Sequence, residues 1–217
     1  MKLQRDRRDS RWDAHREQRR AQLVGSAITA IRRGGAGTGM DEIAAEAGTS
    51  KTVVYRHFGD RTGLYTAVCE SVAGVLLGEI RRATADALSG GGPRAAVAFG
   101  IDAYLRLIER DPALYRFVVA RPLLETTAPD PVHDLVTVIG DEVAAVIIRT
   151  TGDDDPAGRS AARTWGHAVV GLVRGAADDW LARPDGTPRE RLADRLTDLA
   201  WSGLSGLAPT HAQEERP

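Results

Sequence analysis

The sequence predicts an all-α protein of about nine helices, and three observations lead there. Apolar residues recur three and four positions apart along nearly every segment, the spacing of one helix face. Breaks rich in glycine, proline and small polar residues divide these segments at helical lengths. No segment reads convincingly as a strand, and no internal repeat is found.

The elements follow in order. Residues 1–14 read as a mobile basic arm, carrying Lys2, Arg5, Arg7, Arg8 and Arg11. Arg16 to Arg32 has Ala21, Val24, Ala27, Ile28 and Ile31 on one stripe, and Gly34, Gly35 and Gly37 end it. Two short helices follow, Met40 to Ala47 and Ser50 to His57, each stopped by a glycine. Asp60 caps a long helix from Arg61 to Leu88. Arg94 to Glu109 is next, and Asp111-Pro112 starts another in the cap-then-proline sense. Val132 to Arg149, Ala157 to Leu181 and Pro188 to Leu207 complete the set, with a polar tail over 208–217.

Composition bounds the function. The chain has 217 residues, of which 42% are hydrophobic and 5% aromatic, so aliphatic residues must fill the core. Net charge is −1, but it is unevenly spread: residues 1–61 hold 13 Lys/Arg against 8 Asp/Glu, and the rest is acidic. A basic front fits a polyanion-binding head, and equally a solvated tail. No uncharged run is long enough to span a bilayer, and the N-terminus lacks the apolar core of a secretory signal. The single Cys69 fits a reducing cytoplasm.

The decisive stretch is GTGMDEIAAEAGTSKTVVYRHFGDRTGLY, residues 37–65. Two short helices joined by Ala47-Gly48-Thr49-Ser50 are marginal alone and survive only by packing. Ile43, Ala44, Ala47, Val54, Phe58 and Leu64 have the spacing to supply that small core. This is the helix-turn-helix plan, whose second helix enters the major groove of DNA. The outward side of that helix holds Thr49, Ser50, Lys51, Thr52, Tyr55, Arg56 and His57, donors and cations suited to base edges and phosphates.

This stretch resembles the TetR family of transcriptional regulators. Ile43, Ala44, Ala47, Gly48, Ser50, Tyr55, Phe58 and Leu64 match the family pattern without a gap. The resemblance implies an N-terminal three-helix helix-turn-helix DNA-binding domain, residues 15–61. It implies a C-terminal helical effector-binding and dimerisation domain, residues 62–207. By the family pattern Lys51, Thr52 and Val53 would face bases, and Tyr55, His57 and Arg61 would contact phosphates. Gly39 stands where the family often has a capping hydroxyl, so Thr38 is the substitute phosphate contact. Two readings fit Tyr55, a phosphate contact or a packing residue.

The last two helices carry the candidate dimer seam: Trp165, Val169, Leu172, Val173, Ala176 and Trp180, then Leu192, Leu196, Leu199 and Leu204. Obligate interfaces resemble a divided core. Large side chains suggest a pocket for a small apolar effector at Tyr104, Leu107, Phe117, Leu124 and Trp165. Asp153-Asp154-Asp155 reads as a solvated turn rather than a metal loop. The histidines lack zinc spacing, and no nucleophile elbow or phosphate-binding loop is present, so neither enzyme nor cofactor is expected. The reading is a homodimeric repressor that leaves an inverted-repeat operator in double-stranded DNA when the effector binds. The rival is a helical dimer serving as a protein–protein adaptor without operator binding.

Overall fold

The computed structural model describes residues 3–120, 131–183 and 185–205. Among them are nine helices: α1 Leu3–Gly34, α2 Met40–Glu46, α3 Lys51–Phe58, α4 Arg61–Gly90, α5 Gly92–Arg110, α6 Pro112–Ala120, α7 Pro131–Thr151, α8 Pro156–Ala182 and α9 Arg189–Ser205. No strand occurs among the described residues. The all-α expectation holds, and most helix ends fall within two residues of those expected. The exception is α1, which starts at Leu3 instead of Arg16. No glycine or proline lies between Leu3 and Val24, so nothing in the chain halts the helix there.

The chain forms two compact units. The first comprises Met1–Val72 and Asp111–Val132, the second Ala73–Arg110 and His133–Pro217. The passage between them falls inside α4, whereas the sequence expectation divided the chain at Arg61. The core of the first unit explains the difference. Leu23, Ile31, Ile43, Val54, Leu64, Tyr65 and Val68 are buried together with Leu114, Phe117 and Val118 of α6. The Tyr65 hydroxyl donates to the Val118 carbonyl at 2.5 Å, and its ring centroid lies 5.9 Å from that of Phe117. Asp111 caps α6 by accepting from the Leu114 N–H at 3.3 Å and takes an ion pair from Arg32 Nε at 2.5 Å. A sequence segment distant from the head therefore completes the head's core.

Short helices need defined ends. Thr49 N–H donates to the Ala44 carbonyl and Gly48 N–H to that of Ala45, both at 3.0 Å. This paired closure of α2 requires a left-handed residue, and Gly48 supplies φ +60. The backbone of α3 begins on Ser50, whose hydroxyl accepts from Val53 N–H at 3.4 Å. Asp60 starts α4 by accepting from Gly63 N–H at 2.7 Å.

The second unit is held by apolar clusters and polar staples. Leu76, Ile80, Ala103 and Ile139 are buried together, and Ala144, Ile147 and Ala162 form a second group. Arg189 of α9 reaches Asp102 and, at 2.9 Å, Glu109 of α5. Helices α7 and α8 cross closely where Gly140 meets Gly166. Asp155 caps α8 by accepting from Gly158 N–H at 2.7 Å, which gives the acidic turn a structural duty. Residues 61–86 of α4 are long and apolar enough to cross a membrane by composition alone. Leu64, Val68, Leu76 and Ile80 are buried in protein, which accounts for that hydropathy.

Two glycines of the first unit should respond oppositely to alanine. A Cβ on Gly63 would stand 2.0 Å from the Phe58 carbonyl oxygen, while one on Gly25 meets nothing within 4 Å. Urea unfolding should show Gly63→Ala losing about 1–3 kcal/mol, as an overpacked contact does. Gly25→Ala should gain about 0.5–1 kcal/mol through the helix preference of alanine. Equal responses would contradict the packing of α3's end against α4's start.

Candidate nucleic-acid interface

Helix α3 buries Val54 and Phe58 and turns its other side outward. Thr52 and Arg56 are exposed, and Lys51, Val53, Tyr55 and His57 are half-buried. Arg61 is exposed at the first position of α4. The structure thus brings Lys51, Thr52, Val53, Tyr55, His57 and Arg61 onto or beside one outward-facing helix. Tyr55 also packs partly against the core, so both readings of that residue keep a physical basis.

One expectation is corrected. Thr38 is only 4% exposed, and its hydroxyl donates to the Gly35 carbonyl at 2.8 Å. It closes the loop after α1 and does not present itself to a phosphate. Ser50 is exposed, and its hydroxyl accepts a backbone N–H as the N-cap of α3 while keeping its own proton to donate. At Gly39 the chain replaces a side-chain cap with Glu42, whose carboxylate accepts from the Gly39 N–H at 3.1 Å.

Sequence reasoning missed α1's share in this surface. Arg20 Nη1 donates to the His57 carbonyl at 2.9 Å, and its guanidinium carbon lies 4.6 Å from the Phe58 ring centroid. One side chain therefore satisfies an end carbonyl of α3 and covers the ring that anchors it. Arg16 and Arg19 lie on the same side of α1 at helical spacing. Burial pulls the His57 imidazole below its ordinary value of 6.5, and the guanidinium groups of Arg56, Arg19, Arg16 and Arg20 lower it further. His57 is thus neutral at pH 7 in a strongly cationic setting. Only the clustering of arginines in the first twenty residues hinted at this, because the pairing of α1 with the end of α3 is tertiary.

Comparison with known proteins fits this geometry. Residues 24–68 match the bacterial regulatory proteins of the tetR family, and residues 80–215 match the tetracyclin repressor-like C-terminal domain. An HTH-type transcriptional regulator of Mycobacterium tuberculosis H37Rv is 32% identical over 212 residues, 97% of this chain and 88% of its own. The chain belongs to the TetR family. The HTH-type transcriptional activator FasR of Mycolicibacterium smegmatis is 28% identical over 202 residues, 91% of this chain and 88% of its own. The fold matches a Rhodococcus sp. RHA1 transcriptional regulator with a TM-score of 0.68 at 22% identity, covering 86% of this chain and 96% of that one. It also matches the TetR-like regulator LfrR of Mycobacterium smegmatis in complex with proflavine, TM-score 0.57 at 24% identity, over 85% and 96%.

The remaining TetR expectations divide. Tyr104 and Leu107 pack on the cluster of Leu76, Ile80, Ala103 and Ile139, and Trp165 packs on the separate group around Ala144 and Ile147. Phe117 belongs to the core of the first unit, fully buried. Leu124 lies outside the described residues. Of the dimer candidates, Val173 and Leu196 are buried within their own chain, so they are protomer core. Trp180 donates its indole N–H to the Thr187 carbonyl at 2.9 Å and pins the turn before α9. Trp165, Val169, Leu172, Ala176 and Leu192 are half-buried, and Leu199 is 59% exposed. The side chain of Leu204 lies outside the described residues.

The lowered value of His57 has a signed consequence. Just below pH 6.5 the unfolded chain takes up a proton there before the folded head does. This contribution to stability therefore rises with pH through the window up to 6.5 and is flat above it. Removing one of the neighbouring cations relieves the imidazole: Arg56→Gln should move the His57 ring-proton NMR titration upward toward 6.5. An unchanged midpoint would remove Arg56 from the causes and leave burial with the arginines of α1.

Proposed function

We propose that this TetR-family transcriptional regulator is a homodimeric repressor whose two heads read successive major grooves of an inverted-repeat operator. One observation carries the reading. Helix α3 is capped, stopped and anchored on one side, while Lys51, Thr52, Tyr55, Arg56 and His57 lie on the side left to solvent. Lys51, Thr52 and Val53 at the start of α3 are the base-reading set. Tyr55, His57 and Arg61 hold phosphates, joined by Arg16, Arg19 and Arg56.

The dimer face is the open side of α8 and α9. Val169, Leu172 and Ala176 there flank exposed Gly171 and Gly175, and Leu199 stands out on α9. Such small and apolar surface suits a second copy of the same helices. The effector is a small apolar molecule held among Leu76, Ile80, Tyr104, Leu107 and Ile139 in the second unit. It acts by binding the DNA-free conformation more tightly, the only way a ligand shifts such an equilibrium. Activation is a second reading, favoured by the activator FasR among the relatives. A reporter behind the selected operator distinguishes the two by the sign of its response to the expressed regulator.

Selection from random DNA should return inverted repeats with half-sites roughly 34–36 Å apart. On the selected duplex, Lys51→Ala should cost about 1–3 kcal/mol of discrimination between correct and altered bases. Arg61→Ala should weaken all duplexes evenly and reduce the log–log salt slope by about 0.9 per head. Recovery of no preferred sequence would favour the adaptor reading instead.

Placing a charge on the open face of α9 should divide the assembly. Sedimentation of Leu199→Glu is expected to give a monomer with unchanged helical content. A variant that still sediments as a dimer would move the interface elsewhere.

A further inference from the structure

On the outward side of α3, Lys51 differs from its cationic neighbours. Its ammonium lies 2.7 Å from Asp41 Oδ2, across the turn on α2. Arg56 and Arg61 make no ion pair among the described residues. Asp41 sits in the first turn of α2, where the helix dipole favours a carboxylate. The α2–α3 turn is short and closed by its own hydrogen bonds, which fixes the distance between these two positions.

We propose that Asp41 sets the sequence selectivity of the recognition helix by holding Lys51 away from phosphates until a base-edge acceptor replaces the carboxylate. The inference rests on the reading of α3 as the DNA-reading helix. A lysine that carries its own counterion releases no condensed cation from DNA and adds little to sequence-independent binding. A guanine presents two acceptors, O6 and N7, at a fixed place in the groove and exchanges for the carboxylate. The pair is exposed on both sides, so this exchange is not opposed by a strong bond. Asp41 contributes by subtraction: it lowers affinity for wrong sequences more than for the right one. It is a positioning residue, acting through Lys51.

The test is a double-mutant cycle on the full chain, with the operator duplex selected from random DNA and a scrambled duplex of equal length. Asp41→Asn should bind the scrambled duplex up to about fivefold more tightly, the range an exposed ion pair commands. Its salt slope on that duplex should steepen by close to 0.9 per head, because a freed lysine now displaces a counterion. Discrimination between the two duplexes should narrow. In a Lys51→Ala background the same Asp41→Asn change should leave the salt slope where it was. An unchanged melting temperature for Asp41→Asn places these effects in binding and not in folding. Equal effects in both backgrounds would reduce Asp41 to a general repulsive charge and overturn the proposal while leaving the DNA reading intact. A wild-type chain that prefers no duplex overturns both.

Discussion

The head depends on Val54 and Phe58 leaving water. Helices of seven and eight residues do not persist alone, and α2 and α3 are of that length. Each large side chain buried contributes about 1.5–3 kcal/mol, and Val54, Phe58, Ile43 and Leu64 all enter one cluster. That burial fixes the rotation of α3, and the rotation decides which residues remain outside. The polar side of the helix is thus a consequence of its apolar side.

The surroundings refine this constraint. Arg20 takes the His57 carbonyl and lies over the Phe58 ring, so α1 holds α3 at its C-terminal end. Gly63 lets the first turn of α4 press against the Phe58 carbonyl. The N-terminal end of α3 is held by Ser50 and by the closure at Gly48. A helix secured at both ends presents its outer residues in one arrangement, which site-specific recognition requires. The same arrangement gathers Arg16, Arg19, Arg20 and Arg56 around His57, a repulsive cluster that polyanionic phosphates would relieve.

The second unit uses different means. Arginines on α9 and α5 are met by carboxylates across the helix pair, as in Arg189 with Asp102 and Glu109 and in Arg94 with Asp198. The cluster around Ile80 and Ile139 is ringed by half-buried residues such as Tyr104 and Leu107.

Period, breakers and caps by themselves determined the helix count, the helix-turn-helix and the outward set from Lys51 to His57. These are local: a 3.6-residue repeat and a glycine stop are written in consecutive residues. Tertiary structure alone decided what depends on residues far apart in the chain. Phe117 reads locally as any apolar helix residue, yet it packs on Tyr65 in the head. Thr38 reads as an available hydroxyl, yet the fold turns it inward onto Gly35. Arg20 reads as one more basic residue before the head, yet it secures the recognition helix. Amphipathic spacing says that a face is buried; which partner buries it is settled only when distant helices compete for the same apolar surface.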